Sequence, residues 1–153
     1  MNGKSTAGFT LLELVAVLVL LGLLASQATL HYSRGGSTLQ AQAEQVAADL
    51  LHAQGLAMQL ASRVRFEATG AGYQVVDEAS NTPLNDPATG QAFIVALENG
   101  VSLGGGPVRF DSLGRPSSGT GLLNGPVDFL LQADGRTRTV RVTPLSGLAE
   151  VLP

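Results

Sequence analysis

Between Phe9 and Leu30 lie 22 residues that carry one charge, Glu13, and no other stretch limits the folding of this chain so tightly. As a helix rising 1.5 Å per residue, the run is about 33 Å long and matches a hydrocarbon core of about 30 Å. Val15 to Ala25 is apolar on every side, whereas a helix packed in a small soluble domain keeps a polar stripe. The run therefore reads as a transmembrane helix. A cleaved secretory signal is the rival reading, with Lys4 as the basic region, Leu14–Ala25 as the apolar region and ASQA (25–28) as the cut site. A plain single-span anchor is another. The carboxylate is the anomaly in all three. A charge at mid-membrane costs about 2.5–3.5 kcal/mol on insertion scales, so Glu13 needs a reason to be there.

Gly8 followed by FTLLE resembles the class III signal of type IV pilins and type II secretion pseudopilins. The resemblance implies a leader, Met1–Gly8, removed after the glycine by a prepilin peptidase that also methylates the new N-terminal residue, Phe9. Glu13 is then fifth in the mature chain and serves assembly. Physical chemistry gives that role a basis. Cleavage frees an ammonium on Phe9 at a helix N-terminus, and Glu13 follows about one turn on, near the positive end of the helix dipole. In a helix bundle the carboxylate can meet the Phe9 ammonium of a neighbour. A buried charge is tolerable when paired and expensive when not, so the pairing sets axial register. The short basic N-terminus, with Lys4, stays cytoplasmic under the positive-inside bias. The expected location is a bacterial inner membrane, crossed once, with a periplasmic head, and afterwards a filament.

Past the span, SRGGS (33–37) interrupts the pattern near residues 35–36, and Ser37 or Thr38 is placed to cap a second helix running to about Ala61. Its apolar stripe is Leu39, Ala43, Val46, Leu50, Ala53, Ala57 and Leu60, backed by Ala47, Leu51 and Leu56. Gln40, Gln42, Glu44, Gln45, Asp49 and Gln54 are scattered over the remaining surface, and His52 lies off the stripe. After Ala61 short alternating runs read as strands: 63–68, 72–76, 92–97, 107–110, 127–132 and 137–143. The last two form a hairpin turned by Asp134-Gly135. The expectation is an α+β fold: a leader (1–8), a transmembrane helix (9–30), an amphipathic spine helix (31–61) and a β-rich head (62–153), with the helix laid across one face of an antiparallel sheet.

That order is similar to a pilin, and within the superfamily to the GspH/FimT-type minor pseudopilins. The similarity is carried by LLHAQGLAMQLASRVRFE, where helix passes directly into strand, by VRFDSLGRPSS, and by the terminal hairpin followed by LSGLAEV. It implies a structural subunit of a type II secretion pseudopilus, with other pilin or pseudopilin subunits, the peptidase and the inner membrane as partners. The alternatives are a minor type IV pilin for adhesion, motility or DNA uptake, and a secreted soluble β-rich domain. Two departures stand out. No proline occurs between Phe9 and Ala61, where pilin helices often carry one, and Gly147-Leu148 stands where some GspH/FimT members have a glycine-arginine turn.

Catalysis and metal binding find little support. The chain has no cysteine and two histidines, His31 beside the span and His52 on the spine, so neither thiol chemistry nor a Ser–His–Asp set is arguable. Asp77, Glu78, Asn85 and Asp86 lack the spacing of a calcium loop. Asp111 reads as a turn former. The expectation is a protein without catalytic residues, metal or cofactor. Arg136, Arg138 and Arg141 are a candidate anion or DNA patch, to which Arg109 and Arg115 could add; alternation puts Arg136 and Arg138 on one face and Arg141 on the other. Residues 31–153 hold 8 Arg against 11 Asp and Glu, a balance of −3, and no stacking aromatics interleave the arginines.

Overall fold

The computed structural model describes residues 11–119 and 121–152, with side chains described outside 22–37. The expected leader Met1–Gly8 and the cleavage residue Phe9 lie outside the described residues. The chain divides into two compact units, Met1–Arg34 and Gly35–Pro153. Helix α1 is Leu11–Leu60, and its helical backbone continues through Gly35 and Gly36. The interruption expected there is absent, so Ser37 and Thr38 are interior residues rather than caps. Two glycines cost about 1 kcal/mol each, a penalty that a helix already propagating through good helix formers can absorb.

The helix ends in a Schellman motif. Ser62 N–H donates to Ala57 O at 3.2 Å and Ala61 N–H to Met58 O at 3.4 Å, with Ala61 at φ 48°. The left-handed position is usually glycine; here an alanine occupies it.

Among the described residues, the second unit is an α+β head of eleven short strands in two antiparallel sheets. The strands are β1 (Val64–Ala68), β2 (Gly72–Asp77), β3 (Thr82–Pro83), β4 (Ile94–Ala96), β5 (Ser102–Gly104), β6 (Val108–Phe110), β7 (Pro116–Ser118), β8 (Gly121–Leu122), β9 (Val127–Ala133), β10 (Arg136–Val142) and β11 (Ala149–Leu152). One sheet runs β3-β2-β1-β6-β7-β8, with β4 also paired to β2; the other runs β11-β10-β9-β5. The helix lies on an antiparallel head as expected, and the head's strands fall in two sheets because the chain leaves the first sheet after β4 to lay β5 against β9 and then returns as β6. The β9–β10 hairpin turns through Asp134 and Gly135, both at positive φ (49° and 71°), as a type I′ turn requires.

One core joins the helix to both sheets. Leu39, Ala43, Val46, Leu50, Ala53 and Ala57 pack on Phe66 and Val75 of one sheet and on Phe129, Leu131 and Val140 of the other. Phe66 stacks on Tyr73 at 4.9 Å and meets Phe129 edge-on at 5.2 Å, which ties the sheets together. Three positions depart from expectation, and one of them, Leu51, expected to back the stripe, is exposed. Leu60 is half exposed, because the helix ends there and runs past the core. Gln42, expected at the surface, is buried.

Candidate functional site

Glu13 sits in the first turn of α1, and it and the residues around it are exposed. Leu11, Leu12, Leu14, Val15, Val17, Leu18, Val19, Leu20 and Leu21 all present large apolar side chains, and consecutive positions on a helix face every direction. Covering each one is worth about 1.5–3 kcal/mol, so an apolar surface of this extent favours being covered. Among the described residues, no helix is long and apolar enough to cross a membrane. The expected span, 9–30, includes residues 9 and 10 and the side chains of 22–30, which lie outside that description.

On the head, two amides of α1 fasten the helix to loops and one carboxylate ties it to β2. Gln42 Nε2 donates to Glu98 O at 3.2 Å and its Oε1 accepts from Glu98 N–H at 3.1 Å. Gln54 Nε2 donates to Gly114 O and Ser146 O, both at 2.7 Å. Tyr73 Oη donates to Asp49 Oδ2 at 2.6 Å. Burial pushes the Asp49 carboxyl above its ordinary value despite that bond, and burial with the same bond raises the Tyr73 phenol. His52 is exposed, 3.9 Å from Asp49. Sequence reasoning missed Gln42, Gln54 and the Asp49–Tyr73 pair. A polar residue flanking an apolar stripe was the sole signal, and it does not distinguish solvent from a loop carbonyl.

The arginines are spread out and engaged. Arg138 shares a row with the buried Val140 and Val142, and its Nε donates to Gln40 Oε1 at 2.8 Å. Arg141, on the opposite face, forks onto Asp128 with bonds of 2.8 and 2.7 Å. Arg136 flanks the Asp134-Gly135 turn. Arg109 and Arg65 share Glu78, at 2.8 and 2.6 Å, and Arg65 also reaches Glu67 and Asn81. Arg115 pairs with Asp111 at 2.8 Å. The three hairpin arginines therefore occupy two faces, as alternation predicts, and both Arg138 and Arg141 hold neutral or acidic partners.

The acids form turns. Asp77 accepts from the Ala79 and Ser80 N–H groups, Asp86 from Ala88 N–H and the Thr89 hydroxyl, and Asp111 from Leu113 and Arg115 N–H. Among the described residues, no group of three or more His, Asp or Glu is placed to hold a metal ion.

A helix packed on an antiparallel head, with an acid in the first turn of that helix, is a pilin-type fold. Comparison with known proteins agrees. Residues 3–26 match the prokaryotic N-terminal methylation motif, and residues 42–146 match the family of the type II transport protein GspH. The chain belongs to the GspH family. In fold it is similar to the type IV minor pilin FimU of Pseudomonas aeruginosa, with a TM-score of 0.56 over 75% of this chain and 88% of that one, at 17% identity. No curated protein sequence matches it significantly.

Proposed function

We propose that this protein is a minor pseudopilin of a type II secretion system, cut after Gly8, N-methylated on Phe9 and assembled through its N-terminal helix. The observation that carries the reading is the pairing of a methylation motif at residues 3–26 with a GspH match at 42–146, in the order a pseudopilin requires. Glu13 is its docking charge. Placed in the first helical turn among exposed leucines, it meets the Phe9 ammonium of a neighbouring subunit once helix packing removes water from both. The N-terminus stays cytoplasmic, the span crosses the inner membrane once, and the head is periplasmic until assembly.

The likeness in fold to the type IV minor pilin FimU favours a second reading, a minor subunit of a type IV pilus. Mass spectrometry of the mature N-terminus, with and without a prepilin peptidase, tests the shared part. N-methylated Phe9, lost without the peptidase, is the expected result; an intact Met1 or a cut near Ala28 overturns it. Co-purification with the secretion filament rather than with the pilus separates the two readings.

A further inference from the structure

One sheet edge on the head is left open beside a groove. Strand β4 has β2 along one side: Leu97 N–H donates to Ala71 O at 2.9 Å, and Phe93 O accepts from Val75 N–H at 3.0 Å. Peptide groups alternate sides in an antiparallel ladder, so the Phe93 carbonyl, residue 95 and the Leu97 N–H serve β2 while 94, 96 and 98 face away from it. On that outer side Glu98 is already satisfied by the Gln42 amide, which takes both its N–H and its C=O as a neighbouring strand would. The Ile94 N–H folds back to Ala92 O at 2.7 Å. The Ile94 carbonyl and both peptide groups of Ala96 then face the groove. Ile94 keeps its side chain 58% exposed. By contrast β3, on the same side of β2, includes Pro83, which has no N–H to offer.

The groove consists of two adjoining hollows, 310 and 390 Å³, that share Gln45 and Ala96. The charged side chains lining it are Glu98 and Asp86, with no Lys or Arg among the lining residues. We infer that this groove takes an extended, positively charged segment of a partner protein, which adds a strand to β4, packs an apolar side chain on Ile94 and presents Lys or Arg to Glu98 and Asp86. Backbone hydrogen bonds give such strand addition its affinity, and the flanking side chains give it selectivity. Gln42 marks the limit of the site, since it fills the next position on the edge. The inference is independent of the filament system and of the role of Glu13.

The test uses the full-length protein in detergent micelles and a fluorescein-labelled peptide of about eight residues alternating Val with Lys or Arg. Binding is read by anisotropy at low salt. Binding of this peptide, with amide exchange at Ala96 slowed about tenfold, is the expected result. Ala96→Pro removes the outward N–H and Glu98→Lys reverses the groove charge; each is expected to weaken binding about tenfold or more. A peptide N-methylated at alternate residues, which cannot form a ladder, is expected not to bind, and this arm decides the matter should Ala96→Pro fail to fold. No binding at about 1 mM peptide, equal binding of an acidic or N-methylated peptide, or protection at another strand in place of Ala96 overturns the inference.

Discussion

At the scale of single residues, two carboxylates are held in opposite circumstances. Glu13 is exposed in the subunit and meets the Phe9 ammonium of a neighbour in the assembly proposed above. Replacing it with Ala or Gln leaves a neighbour's ammonium without a counter-charge as helices pack, a penalty of about 3–5 kcal/mol for a buried charge. Glu13→Ala is expected to be processed normally and to fall at least about tenfold in sheared filaments, measured by quantitative immunoblot. Unchanged incorporation would remove Glu13 from assembly. Asp49 is half buried and accepts from the Tyr73 hydroxyl. Tyr73→Phe leaves that half-buried carboxylate without its donor and is expected to cost about 1–3 kcal/mol in denaturant melts at pH 7. The Asp49 pKa is raised by burial, so the folded state binds the proton more readily than the unfolded chain. The cost of Tyr73→Phe should therefore shrink as pH falls through that raised value, because a neutral carboxyl is cheaper to bury.

At the scale of elements, the end of α1 is under mild strain. Ala61 holds the left-handed conformation, and its Schellman bonds to Ala57 and Met58 require that backbone. Ala61→Gly relieves the steric penalty against some loss of chain entropy, and is expected to stabilise the head by about 0.5–1 kcal/mol, seen as a raised denaturation midpoint. Element type was legible where periodicity had room to show. The spine stripe from Leu39 to Ala57, the strands around Phe66, Val75, Phe129 and Val140, and the Asp134-Gly135 turn all follow from local pattern. Strands such as Thr82–Pro83, Gly121–Leu122 and Ala149–Leu152 were not legible, since two to four residues carry no measurable alternation and two of them contain Pro or Gly. Nor was the partition into two sheets, which depends on β5 crossing to β9 and not on any local signal. The Gly35-Gly36 break was over-read: propensity penalised it, but the helix on both sides carries through. On the groove, Ile94 and Glu98 were visible as letters, while the open edge emerges from register alone.

At the scale of the whole molecule, acid should be the condition that loosens the head. Hydrogen bonds and ion pairs hold several carboxyls below their ordinary values. Asp128 is lowered by the Arg141 guanidinium. Burial pushes Glu78 up, but Arg109 and Arg65 outweigh it. Turn N–H and hydroxyl donors similarly lower Asp77 and Asp86, and those of the Arg115 loop overcome burial at Asp111. A lowered folded pKa means that the unfolded chain binds protons first, so stability present above the ordinary carboxylate range is lost as pH falls through the folded values. Thermal melts are expected to be nearly level from pH 7 to about 5 and to drop below about pH 4, with Asp49 opposing the trend. A midpoint that rises on acidification would contradict this. The Gln54 clasp has a different kind of consequence. Its two acceptors are main-chain carbonyls, of Gly114 and Ser146, 60 and 92 residues away along the chain. Since those acceptors belong to the backbone, the side chains displayed beside them, Leu113, Leu145 and Leu148, are exposed and take no part in the clasp. Substitutions at these three exposed leucines therefore change what the loops present to other proteins while one glutamine keeps the loops in place.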